Sequence, residues 1–151
     1  MPVTIEKIRC IQTAPAGIRL VIVKVETSQP GLYGLGCATF TQRPLAVVEA
    51  VTQYLDPFLH GRDIDQITDI NQAANMSSYW RNGPVLNNAR SGVDMALWDL
   101  KGKHFGQPIH RLLGGKQHDR ILAYASILFG ENGTATEEIA VRWREAGYQA
   151  V

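Results

Sequence analysis

Apolar and polar residues alternate partly through "VTIEKIRCI" (residues 3–11), and β-branched side chains crowd it, as in a half-buried strand. "IRLVIVKVE" (18–26) is a more apolar second strand, set off by the Pro and Gly of "QTAPAG". After the turn "TSQPGLYG" a third strand, "LYGLGCATF", carries Gly34 and Gly36. Glycines inside a strand suggest a bulge or a close approach by something else. Three consecutive strands on short turns predict an antiparallel meander.

The period then lengthens. Pro44 opens a helix with Leu45, Val48, Val51 and Leu55 at three- and four-residue steps. Asp63 is the expected N-cap of a second helix, whose stripe is Ile64, Ile67, Ile70 and Ala74. A polar and aromatic loop, "NMSSYWRNGP", follows. Asn82 or Gly83 caps a third helix with Pro84 in its first turn and a long stripe of Leu86, Ala89, Val93, Ala96, Leu97 and Leu100. Gly106 and Pro108 end it, and "IHRLLGG" adds a further helical turn.

Residues 120–130, "RILAYASILFG", differ in kind: a nearly continuous apolar run, as in parallel strands covered on both faces. Thr136 is the expected cap of an amphipathic helix ending near Gly147. Strand followed by crossover helix begins a β/α repeat. The expected architecture is α+β. A three-stranded antiparallel meander and a helical bundle occupy 1–115, and the first β/α unit of a barrel, incomplete at Val151, occupies 116–151.

Composition narrows the function classes. Net charge is +1, so no basic field recruits nucleic acid. No apolar stretch approaches the roughly 20 residues of a membrane helix, and the N-terminus lacks the basic-then-apolar pattern of a secretory leader. The expectation is a cytoplasmic protein with no nucleic-acid or membrane partner, and with Cys10 and Cys37 as buried free thiols. His60, His104, His110 and His118 show no metal-ligand spacing.

"SGVDMALWDLKGK" (91–103) puts two aspartates and two lysines on one helix. Asp94 lies four residues after Arg90 and Asp99 four before Lys103, so each aspartate has an ion-pair partner on its own helix. The two aspartates, five positions apart, face different ways and cannot converge on one proton or metal. Met95 and Trp98 border the apolar stripe as packing residues.

From Ala89 to Gly114, "ARSGVDMALWDLKGKHFGQPIHRLLG" resembles the N-terminal signature of the mandelate racemase/muconate lactonizing enzyme branch of the enolase superfamily. Closer similarity, through "GLYGLGCATFTQRPLAVVEAV" and "SSYWRNGPVLNNA", runs to the mannonate and gluconate dehydratases and their starvation-sensing relatives. The resemblance implies a capping domain on a modified TIM barrel. In such enzymes three barrel carboxylates hold Mg²⁺, which stabilises the enediolate left when a base removes the proton α to a carboxylate. Those residues lie on barrel strands, so no catalytic residue and no metal ligand is assigned to this chain.

The implied substrate-facing positions are Thr41, where some relatives carry an asparagine that contacts the sugar acid, with Arg43 beside it. Ser126, where a histidine often follows "Tyr-Ala", is the third, and Trp80 and Arg81 are expected at the entrance of a carboxylate site. The implied function is the N-terminal part of a Mg²⁺-dependent aldonate dehydratase, inactive as this chain alone, with a sugar-acid substrate and homo-oligomeric assembly. The alternative is a non-catalytic capping-domain module for binding, regulation or oligomerisation. A helix-turn-helix regulator over 64–104 is a weaker third reading, opposed by the neutral charge.

Overall fold

The computed structural model describes residues 2–126 and 135–150, which form two compact units, 1–115 and 116–151. The first unit holds β1 (Ile5–Thr13), β2 (Leu20–Thr27) and β3 (Tyr33–Cys37), an antiparallel sheet in the order β1-β2-β3. Helices α1 (Pro44–Glu49), α2 (Asp56–Leu59), α3 (Ile67–Met76), α4 (Pro84–Phe105) and the short α5 (Ile109–Leu112) follow. The architecture is the α+β meander and helical layer that the sequence predicts.

Alternation decides which face of the sheet is covered. Val21, Val23 and Val25 of β2 point one way with Ile5 and Ile8 of β1, and all five are fully buried. They meet the Ala89, Val93, Ala96, Leu97 and Leu100 stripe of α4. On the opposite face Glu26 pairs with Lys24 at 3.0 Å and Arg9 at 2.8 Å. Hydrogen bonding to Lys24, reinforced by Arg9, holds the Glu26 carboxyl below its ordinary range.

Gly34 and Gly36 are where α4 comes closest. A Cβ on Gly34 would sit 1.9 Å from the Ala96 carbonyl oxygen, and one on Gly36 2.0 Å from that of Gly92. Of the two alternatives that the strand glycines leave open, the structure shows the close approach, and β3 has no bulge against β2. The register break lies instead in β1, between Ile5 and Lys7.

Both borders of the sheet are occupied over part of their length. Beside β1, the 61–64 segment bonds to Val3 and Ile5, the His60 ring lies 2.9 Å from the Glu6 carbonyl oxygen, and Asp56 Oδ1 accepts the Ile8 N–H at 2.7 Å. Beside β3, Asp99 accepts the Leu35 N–H at 2.8 Å and Lys103 donates to the Tyr33 carbonyl at 3.2 Å. Asp99 and Lys103 also pair with each other at 2.6 Å. These charges serve the free backbone of an edge strand as well as one another.

Several sequence expectations need correction. The helix opened by Pro44 is interrupted by a π-helical turn, Ala50–Leu55, and in the regular turn before it Leu45 and Val47, two residues apart, lie on opposite faces. Val47, with Val51 four residues on, faces the core together with Ala50 and Leu55, and Leu45 is 65% exposed. Asp63 does not cap a helix. Its Oδ1 accepts the Asp65 N–H in a turn, and α3 starts at Ile67 with Gln66 at its cap. Leu86, expected in the core stripe, is 40% exposed. Asp94 accepts from Asn71 Nδ2 at 2.7 Å, and Arg90 bonds Asn75, so the Arg90–Asp94 pair is not made.

Cys37 is exposed and Cys10 half-buried, both as free thiols, which corrects the expectation of two buried ones. Burial pushes the Cys10 thiol up to about 11. At pH 8 its thiolate fraction is then about a thousandth. Iodoacetamide at that pH is expected to alkylate Cys37 at least about tenfold faster than Cys10, read by peptide mass spectrometry. Equal rates would mean that β1 does not shield its cysteine.

In the second unit α6 (Thr136–Glu145) forms as expected, with Ala135 rather than Thr136 at the N-cap. The strand expected over 120–130 is not hydrogen-bonded into a sheet across 120–126, and its remaining residues lie outside those described. Ala125 N–H donates to the Ala150 carbonyl at 3.0 Å. No helix among the described residues is long and apolar enough to cross a membrane.

Candidate functional site

The loop between β3 and α1 is fixed at its root. Ala38 N–H extends the strand pairing to the Val21 carbonyl at 2.9 Å, and Thr39 Oγ1 accepts the Val21 N–H at 3.1 Å. Phe40 packs against the core. Thr39 and Phe40 thus anchor the segment, a role the sequence reading missed.

Beyond these anchors the chain turns outward, with Arg43 N–H on the Phe40 carbonyl at 3.0 Å. Thr41, Gln42 and Arg43 are all exposed. Thr41 Oγ1 donates to Gln42 Oε1 at 3.1 Å, and Arg43 Nη1 donates to the Gln42 carbonyl at 2.7 Å. Arg43 is the N-cap of α1 and no side chain caps that helix, so the Thr41 hydroxyl is not a capping group. What it offers is a hydroxyl beside a guanidinium on a loop with a fixed root.

The α3–α4 connection is a second cluster. Ser77 Oγ donates to the Ala74 carbonyl at 2.8 Å and Ser78 Oγ to the Trp80 carbonyl at 2.5 Å, which fold the loop on itself. Trp80 stacks edge-on against Tyr79 with centroids 5.4 Å apart and is 80% exposed. Arg81, its Nε–H on the Ser78 carbonyl at 3.2 Å, lines a groove of about 370 Å³ together with Tyr54, Phe58, Leu86 and Arg90. Trp80 is not among the lining residues.

Among the described residues no hydrogen bond or ion pair joins Thr41 and Arg43 to Trp80 and Arg81. Ser126 is exposed and belongs to the second unit. Arg90 is the groove residue that sequence reasoning passed over, because it was assigned to Asp94. The signal lay in Asn71 and Asn75, four apart on α3, which match Asp94 and Arg90, four apart on α4.

Among the described residues no three His, Cys, Asp or Glu side chains come together where a metal ion could be held. The donors present do not fit a magnesium centre. Saturating MgCl₂ or EDTA is accordingly expected to move the thermal midpoint of this chain by less than about 1 °C, since an ion that does not bind the folded state cannot stabilise it. A larger, saturable rise would reveal a site that these donors do not make.

Comparison with known proteins supplies the setting. Residues 4–114 match the model of the mandelate racemase/muconate lactonizing enzyme N-terminal domain. A D-galactonate dehydratase family member from Musicola paradisiaca is 55% identical over 147 residues, covering 97% of this chain and 35% of that protein. The crystal structure of an enolase from Pantoea ananatis, with bound d-gluconate and magnesium, superposes with a TM-score of 0.88 at 54% identity, covering 97% of this chain and 35% of that one. A member of the enolase superfamily from Salmonella Typhimurium superposes with a TM-score of 0.82 at 26% identity, covering 97% of this chain and 40% of that one. The chain thus spans about a third of the length of the relatives it matches. The antiparallel meander, the long α4 packed on its glycines and the match along 4–114 agree: this chain belongs to the mandelate racemase/muconate lactonizing enzyme family of the enolase superfamily, through that family's N-terminal domain.

Proposed function

We propose that this chain is the capping part of a sugar-acid dehydratase that uses magnesium and works by abstraction of the proton α to a carboxylate. The observation that carries the reading is the likeness, over nearly all of this chain, to an enolase that holds d-gluconate and magnesium. Magnesium, when bound in such an enzyme, supplies charge stabilisation for the developing enediolate. The described residues supply no site for it, so the chain by itself is proposed to be inactive.

Its own contribution is to the substrate's hydroxylated end. Thr41 donates and accepts, Arg43 supplies fixed positive charge, and the loop root at Thr39 and Phe40 limits how far either can wander. Trp80 and Arg81 are proposed at the entrance of a carboxylate site, and Ser126 as a hydroxyl on the substrate side of the second unit.

The test is a chimera in which residues 4–114 replace the matching segment of the Pantoea ananatis enolase. With magnesium present it should bind d-gluconate, and Thr41→Ala and Arg43→Gln should each weaken binding about five- to tenfold, one lost polar or charge-assisted contact apiece. A folded chimera whose d-gluconate affinity ignores both substitutions would remove these residues from the site.

A further inference from the structure

We propose that the groove lined by Tyr54, Phe58, Leu86, Arg81 and Arg90 is a binding site for a small apolar carboxylate, of the aryl- or alkyl-acid class. At about 370 Å³ it falls in the size range of small-ligand clefts. The aromatic rings of Tyr54 and Phe58 with the aliphatic Leu55 and Leu86 make most of its wall, Asn75, Ser77 and Ser78 are its polar side chains beside the arginines, and no Asp or Glu lines it. Two guanidiniums lie in this otherwise neutral lining.

Neither arginine has a counter-charge. Arg81 places its Nε–H on a backbone carbonyl and Arg90 bonds the Asn75 side-chain oxygen. Among the described residues neither is in an ion pair. A guanidinium beside apolar surface gains most from a carboxylate, which it can meet with two parallel hydrogen bonds.

The walls select the rest of the molecule. Hydroxyls of a polyol acid would face the Tyr54 and Phe58 rings and Leu86 with few partners, and they would lose solvation with little return. The Ser77 and Ser78 hydroxyls are given to the Ala74 and Trp80 carbonyls, and the Asn75 oxygen to Arg90. An aryl or alkyl tail replaces water on those surfaces favourably. The groove shares Arg81 with the sugar-acid reading but goes beyond it, because it asks for a ligand with an apolar body and uses Arg90, which that reading does not.

The test uses the full chain and three probes: 4-phenylbutyrate, its neutral amide 4-phenylbutanamide, and d-gluconate. Titrations are followed by calorimetry and by the side-chain Nε–H signals of Arg81 and Arg90 in ¹H–¹⁵N spectra. The expected result is saturable one-to-one binding of 4-phenylbutyrate at about 1 mM or tighter, with both arginine signals shifting, and at least about tenfold weaker binding of the amide and of d-gluconate. Arg81→Gln should weaken the acid about tenfold. Since Arg90 also holds Asn75, Arg90→Lys is checked for a native-like spectrum and should weaken binding while keeping the charge.

Equal affinity for acid and amide, indifference to Arg81→Gln, or d-gluconate binding as tightly as the aryl acid would each overturn the proposal. So would concentration-dependent self-association that shifts the same arginine signals and leaves the acids unbound, which would make the occupant a second copy of the chain.

Discussion

Gly36→Ala is expected to destabilise the first unit by about 3 kcal/mol, the upper end of the ordinary penalty for overpacking. The added methyl would lie 2.0 Å from the Gly92 carbonyl oxygen and 2.7 Å from the Ala96 nitrogen. Both are backbone atoms of α4, so no rotamer change can give way. Restoring ordinary contact needs α4 to lift from β3 by more than about 1 Å, which loosens Val93, Ala96 and Leu97 against Val23 and Val25. Urea unfolding at 25 °C measures the loss as a lower midpoint at unchanged slope. Leu45→Ala is the matched control: its side chain is exposed, so the change should stay within about 0.5 kcal/mol. Comparable losses from the two substitutions would refute the close contact.

The second large effect lies at the other border of the sheet. Asp56 is 7% exposed, accepts the Ile8 N–H at 2.7 Å through one carboxylate oxygen, and meets Lys7 Nζ at 2.5 Å through the other. Asp56→Ala leaves the Ile8 N–H buried without a partner, and the expected loss is about 2–3 kcal/mol. Little of that belongs to Lys7, whose side chain is about half exposed and regains water when the pair breaks. Asp56→Asn separates the contributions, because an amide oxygen can still accept from Ile8. It should recover about half of the loss, with Lys7→Ala close to neutral. Asn and Ala variants of equal stability would show that the Ile8 bond contributes nothing.

Much of the fold was legible because it rests on side-chain period. Strict alternation in β2, a 22-residue α4 with small and apolar residues on one face, and Gly83 and Gly106 at its ends each follow from local rules. What misled was local too. The stripe of Leu45, Val48, Val51 and Leu55 in the Pro44 helix is one of two apolar series in that segment, and the core takes the other at its start, Val47 with Val51, leaving Leu45 outside. Arg90 and Asp94 have the spacing of an intrahelical pair, yet a neighbouring helix offered Asn75 and Asn71 at the same pitch. A single sequence carries the pitch of a helix but not the identity of what packs across from it.

The candidate site was less legible for a related reason. Thr41 and Arg43 lie on a loop that touches little in its own unit, so nothing in the surrounding packing dictates their identity. Their assignment came from the resemblance, whereas the groove between Tyr54 and Arg90 needed coordinates, since it joins residues from three separate segments.

The occupied borders of the sheet bear on how this domain can fail and how it can associate. An incoming strand finds the Leu35 N–H already on Asp99 and the Ile8 N–H already on Asp56, so neither edge offers a template for strand addition there. The aspartate of "ALWDLKGK" is in this sense a guard against growth of the sheet, and its loss would be met first as insoluble protein rather than as a slower reaction.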